Sequence, residues 1–214
     1  MANPISVLIV SGSPVAECST DILLRRVAES LKAAMPDELQ VDSTFVKLND
    51  LQFRPCQACG EAPTPAFCFY DDDLTRVYDR LAECDCLLVG SPVYFDSVSA
   101  QAKAFIDRCN CFRPPDFKNV DPNHDFIKLV GRKRPGAMVL VGGEQGWYEG
   151  ARRVIAGFFK WIEVVNEGTL IFHSKDFNRK GEAKDDREAL SRADELGRQL
   201  AAILIRDHRG SQTH

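Results

Sequence analysis

The chain has 214 residues, 44% hydrophobic and 27% charged, which suits one α/β core with decorations. A formal net charge of -4 with no dense Lys/Arg block argues against nucleic acid as a partner, and the short Arg132–Arg134 run reads as a solvated loop. No apolar stretch approaches the roughly 20 residues of a membrane span, and the first residues lack the basic and apolar regions of an export signal. The expectation is a cytoplasmic protein with no membrane partner, whose eight cysteines are thiols or ligands, not a disulfide framework.

Short apolar runs alternate with longer amphipathic ones. Ile5–Val10 reads as a buried strand, and Thr20–Met35 as a helix with Leu24, Val27, Leu31 and Ala34 on one stripe. Gln40–Lys47 alternates as a strand does. Asp71–Ala82 follows as a helix whose acidic first turn suits the helix dipole. Cys86–Gly90 is a buried strand and Ser99–Arg108 a helix with Ala102, Phe105 and Ile106 inward. Ala137–Val141 is a third strongly apolar run. Tyr148–Ile162 is helical with Val154, Ile155, Phe158, Phe159 and Ile162 in phase. Gly168–Phe172 is the last strand and Asp185–Ile205 the last helix.

Five such β/α units imply a parallel sheet covered by helices on both faces. They suit a flavodoxin-like, doubly wound five-stranded sheet of order 2-1-3-4-5, built by residues 1–207 as a single unit. Residues 48–70 and 109–135 are excursions, and 208–214 reads as a disordered tail. Loops this long in a small domain usually carry function.

Ligands of such sheets bind at the carboxyl ends of the strands. Three loops leave those ends. Ser11–Thr20 carries four hydroxyls and opens a helix, the position where backbone N–H groups and the dipole favour an anion. An ordinary turn with Ser19 or Thr20 as N-cap explains the same residues equally well. No Gly-Lys-Ser/Thr follows, so it is not a P-loop. Gly90–Ser99 sets Tyr94 and Phe95 after a stiffening Pro92, either to stack on a planar ring or to cover the end of the core. Gly142–Trp147 is glycine-rich, either a flexible turn or backbone placed close to a heterocycle edge. Each loop alone is a weak signal; together, all three fall on one sheet edge.

The run Ser91-Pro92-Val93-Tyr94-Phe95, continued by Ser97–Arg108, closely resembles the hallmark of the NADPH-dependent FMN reductase family, most strongly its iron–sulfur flavoprotein branch. The first loop resembles that family's phosphate loop, and Pro55–Gly60 with Asp71–Leu74 resembles the branch's cysteine region. The likeness runs from about Ile5 to Gly146. It implies that Ser11, Ser13, Ser19 and Thr20 hold the FMN phosphate and that Pro92, Val93, Tyr94 and Phe95 line the flavin ring. Gly142, Gly143 and Gln145 would then face its other side or edge. Hydride would come from NAD(P)H and leave to a small acceptor such as a flavin or quinone, with no side-chain acid or base required. The family also implies a homodimer or homotetramer. Two alternatives follow from the same likeness: an electron-transfer flavoprotein, or a flavin-binding redox sensor without turnover. Val15, Cys18 and Ser19 replace the basic residue and Gly-Asn common in the family loop, which predicts weaker phosphate binding.

Cys56, Cys59 and Cys68 supply three thiolates where a four-iron cluster takes four. A degenerate site, a cluster with another ligand and a redox dithiol all remain open readings, and no metal ligand is assigned. Cys86 reads as core. Cys109 and Cys111 end a helix that runs away from the ligand edge, so they are expected far from Cys56. The four histidines, including His173, read as solvated.

Overall fold

The computed structural model describes residues 4–58, 68, 70–112, 132–143, 146–176 and 179–211. Five parallel strands form the sheet: β1 (Ile5–Ser11), β2 (Val41–Lys47), β3 (Cys86–Tyr94), β5 (Arg134–Gly142) and β6 (Val164–His173). A two-residue strand, β4 (Ser97–Val98), pairs antiparallel with β3. The order is β2-β1-β3-β5-β6, which without β4 is the predicted 2-1-3-4-5. Such crossovers need helices, and these are α1 (Ser19–Ala33), α2 (Thr75–Glu83), α3 (Ala100–Arg108), α4 (Glu149–Trp161) and α5 (Arg187–Ser211).

Strand side chains alternate between faces, so each central strand feeds two cores. Leu8, Val10, Leu87, Val89, Met138 and Leu140 pack with α2, α3 and α4 through residues such as Leu81, Phe105 and Phe159. Val7, Ile9, Leu88, Ala137 and Val139 pack with α1 and α5 through Leu23, Leu31, Leu200 and others. Fully burying one such side chain contributes roughly 1.5–3 kcal/mol. This two-faced burial explains why the strands read as continuous apolar runs and why they were easy to find.

The differences from the sequence reading have local causes. The stretch read as a loop after Gly90 continues as strand to Tyr94 and returns through a tight hairpin, with Phe95 and Asp96 at φ 51° and 56°. Positive φ at both central residues is what a type I′ turn requires, but Phe-Asp lacks the usual Asn/Gly signature. Residues 71–74 lie outside α2, because their carboxylates are used elsewhere: Asp73 accepts from the Gln52 N–H at 2.7 Å, and Asp72 pairs with Arg108 at 2.7 Å. Strand β6 begins four residues early and absorbs Glu167 as a bulge opposite Gly136/Ala137. Helix α5 runs on through His208 to Ser211, where a disordered tail was expected.

Candidate functional site

The first loop leaves β1 at the carboxyl edge and enters α1. Its N-cap is neither Ser19 nor Thr20. Cys18 caps the helix, its Sγ accepting from the Asp21 N–H at 3.5 Å. Three of the hydroxyls expected to face a ligand, those of Ser11, Ser13 and Ser19, are turned into the protein. Ser11 Oγ donates to the Asp21 carboxylate, and Ser19 Oγ accepts from the Ala183 N–H at 3.1 Å. Ser13 Oγ accepts from the Val15 N–H at 3.2 Å, and the Thr20 methyl packs against Gly90. What remains open is backbone. Among the described residues, the N–H groups of Ala16, Glu17, Ser19 and Thr20 meet no protein acceptor. Two of them belong to the first turn of a 15-residue helix, the end that attracts anions.

Lys47, the last residue of β2, reaches into this loop. Its Nζ donates to the Val15 carbonyl at 2.7 Å, lies 4.0 Å from Cys18 Sγ and pairs with Asp21. The two side chains of that pair are 8% and 7% exposed. Sequence reasoning missed Lys47, although a lysine closing an apolar strand at the ligand edge was a usable signal. It brings a cation to a loop whose own sequence lacks one. A cleft of 720 Å³ adjoins the same loop between α1, β2 and α2. Its cations, Arg25, Lys47, Arg76 and Arg80, are matched in number by Glu17, Asp21, Asp50 and Asp73, so it exerts little net pull on an anion.

The second loop is a rigid hairpin. Pro92 and Val93 are half-buried, Tyr94 is 48% exposed, and Phe95 stands fully in solvent. A bulky residue at positive φ stores strain of order 1–3 kcal/mol, a cost found mostly at functional sites. The hairpin is held by α4: Asp96 Oδ1 accepts from the Gly150 N–H at 3.0 Å. A Cβ at Gly150 would lie 2.0 Å from the Asp96 carbonyl, so only glycine allows this approach. Behind it, Ser99 caps α3, its Oγ accepting from the Ala102 N–H at 3.1 Å and donating to the Gly12 carbonyl. The first and second loops are thereby tied together.

Gly142 ends β5 where an added Cβ would lie 3.7 Å from the Val93 side chain, Gly143 follows it, and Trp147 is exposed. Gln145 lies outside the described residues. Five large hydrophobic side chains are exposed among the described residues. Four of them, Val15, Tyr94, Phe95 and Trp147, stand on these three loops. His173, read as merely solvated, ends β6 beside the third loop, with Nδ1 3.3 Å from the Gly143 oxygen.

The cysteines are arranged differently from the expectation. Arg108, ending α3, donates to the Arg54 carbonyl at 2.6 Å, and Cys56 shares a cavity with Asn110. The excursion after β2 therefore folds back along α3 to its far end, and Cys109 and Cys111 lie beside it. Buried Arg108, salt-bridged to Asp72, is the anchor that turns the chain there. Cys56 and Cys68 are half-buried, and Cys59 lies outside the described residues. Burial pushes the thiol pKa of Cys84, Cys86 and Cys109 up, which keeps all three as unreactive core. No group of three or more His, Cys, Asp or Glu is placed to hold a metal ion among the described residues.

Known proteins agree with this architecture. An iron–sulfur flavoprotein of Methanocaldococcus jannaschii is 28% identical over 91% of this chain and 95% of its own length. An NAD(P)H-dependent FAD/FMN reductase of Geobacillus thermodenitrificans is 25% identical over 82% of this chain and 81% of its own. The solved structure of an NADH:FMN oxidoreductase superposes with a TM-score of 0.61 at 14% identity, covering 92% of this chain and 89% of that one. The family model for NADPH-dependent FMN reductases matches residues 5–175, four-fifths of the chain and all three loops. The chain belongs to the NADPH-dependent FMN reductase family, a family of FMN-using oxidoreductases.

Proposed function

We propose that the three loops hold FMN and that this chain uses it to pass electrons from NAD(P)H to a small acceptor, a flavin or quinone, in the cytoplasm. One observation carries the assignment of the site: open N–H groups and exposed apolar side chains meet on the same sheet edge. FMN has that division, an anionic phosphate at one end and a planar ring at the other, and so the residues present fit it. When bound, FMN supplies the hydride-accepting and hydride-donating chemistry.

The protein's part is binding and access. The N–H groups from Ala16 to Thr20 and the α1 dipole hold the phosphate, with Lys47 adding positive charge. Ser13 shapes this cradle from behind, Thr20 turns its methyl to Gly90 and keeps its hydroxyl for the phosphate, and Ser11 and Ser19 fix the backbone through Asp21 and Ala183. Pro92, Val93, Tyr94 and Phe95 form an apolar wall for the ring, and Gly142, Gly143 and Gln145 supply backbone and amide groups at its edge. Tyr94 and Trp147 limit water at the ring face, which protects a transferred hydride. The apolar side chains exposed there also support assembly of a homodimer or homotetramer around the site.

The test is NAD(P)H oxidation by the purified chain with and without added FMN. The expected result is turnover that depends on FMN and falls in Tyr94→Ala without loss of fold. Absence of turnover with flavin and quinone acceptors alike would remove the reading as an oxidoreductase of small acceptors. A second reading, an electron-transfer flavoprotein, is favoured by the similarity to an iron–sulfur flavoprotein and by Cys56 lying beside the Cys109–Cys111 turn. Stoichiometric iron and sulfide after anaerobic purification would select it.

A further inference from the structure

A cleft of 620 Å³ lies at the other end of the sheet from the three loops, where β1 and β5 begin and α5 ends. The main strands are parallel, so this is the amino edge. The seven residues of β1, at about 3.3 Å each, set it roughly 20 Å from the first loop. The apolar part of its lining is Ile5, Pro135 and Leu204, all buried. The charged part is Arg132, Lys133, Arg134 and Arg206 against Asp85 and Asp207, with His208 beside them. Asp85 pairs with Arg132 at 2.7 Å and Asp207 with Arg206 at 3.2 Å. Lys133 and Arg134 are the surplus. Lys133 is exposed and has no ion-pair partner among the described residues. Arg134 opens β5 and is only 2% exposed, so the Arg132–Arg134 run is not simply a solvated loop. Its guanidinium donates to the Ala82, Cys84 and Ile162 carbonyls at 3.0, 3.2 and 3.4 Å, and its Nε is buried without an acceptor. No carboxylate pairs with it among the described residues, and burial pushes its pKa down, as expected of a cation short of compensation.

We propose that this cleft is a second ligand site, separate from the flavin edge, and that it takes a small phosphorylated molecule. The phosphate sits beside Lys133 in the field of Arg134, and the organic body lies on Ile5, Pro135 and Leu204. Three observations carry this. Four cations against two carboxylates leave a surplus of two, and a phosphate monoester brings about -1.5 to -2 at neutral pH. The end of α5 brings only about half a negative charge to the same place, which does not cancel that surplus. A buried cation such as Arg134 is screened little by salt, so its field persists at the cleft. The volume falls within the range of about 300–1,000 Å³ usual for small-molecule pockets and exceeds what a bare ion needs. The inference does not depend on what the three loops bind.

The probes are inorganic phosphate, phenyl phosphate and adenosine monophosphate, with adenosine as the uncharged control. Each is titrated by calorimetry into the full chain in the presence of excess FMN, which occupies the first loop. Arg134→Met is the direct change but removes a buried group, so Lys133→Glu, at an exposed position, carries the decision, with melting as the control for fold. The expected result is that the three phosphates bind wild type, the two organic ones more tightly than the inorganic one, and that adenosine does not bind. Lys133→Glu weakens the organic phosphates about ten- to a hundredfold, the loss of one charge-assisted contact, and leaves FMN affinity unchanged. Failure of all three phosphates to bind wild type would overturn the proposal, and so would a Lys133→Glu protein that binds them as wild type does. Inorganic phosphate binding as tightly as the organic phosphates would overturn the place given to an organic body.

Discussion

Removing the Lys47 cation isolates a buried carboxylate. Asp21 and Lys47 are 7% and 8% exposed, and Asp21 also accepts from the Ser11 hydroxyl. Lys47→Met fills much of the same volume but leaves Asp21 charged and without its cation. Breaking a buried pair in this way costs about 3–5 kcal/mol, which for a chain of this size lowers the melting temperature by roughly 6–20 °C. Adding Asp21→Asn removes the second charge, keeps an acceptor for Ser11 and restores most of that loss, because the pair itself contributes little net stability. FMN affinity behaves differently: it falls in Lys47→Met and stays low in the double variant, since the loop has lost its cation in both. Thermal unfolding and FMN fluorescence titration on the four proteins separate the two effects. A Lys47→Met protein that melts within about 2 °C of wild type would refute the reasoning about the buried charge.

Gly150→Ala places a methyl against the Asp96 carbonyl and should displace the hairpin, costing roughly 1–3 kcal/mol and slowing NAD(P)H turnover; unchanged turnover and melting would remove the clamp from the account. Asp194 joins α5 to α1 through Arg26 and Ser30, hydrogen bonds that hold its carboxyl below the usual range. A depressed carboxyl stabilises the fold above its unfolded pKa of about 3.9 and loses that contribution as pH falls through its lower folded value. Asp194→Asn should therefore melt lower at neutral pH and converge on wild type in acid, which pH-dependent unfolding measures; parallel curves would contradict it.

The fold was legible because burial on both faces makes strands nearly all apolar, as in Leu87–Val89, and because the helices keep a 3.6-residue stripe, as in Leu196, Leu200 and Leu204. The three loops were legible through their position after those strands. What sequence reasoning could not see was which way each polar group turns. Ser11 and Ser19 look like ligand hydroxyls until Asp21 and the Ala183 N–H claim them. Lys47 and His173 lie on strands remote in sequence from the loops they contact, and only the parallel register brings them there. The hairpin at Phe95–Asp96 was hidden because its residues are poor formers of the turn they occupy. The path of residues 51–58 depends on one long-range anchor, Arg108, that no periodicity announces.

The central claim is that the loop from Ser11 to Thr20 holds the phosphate of FMN through its backbone. Titrating the apoprotein with FMN and with riboflavin, by quenching of flavin fluorescence, tests it most directly. Two or more charge-assisted hydrogen bonds, each contributing about 1.5–3 kcal/mol, predict FMN binding at least about a hundredfold tighter than riboflavin. Equal affinities for the two flavins would contradict the account.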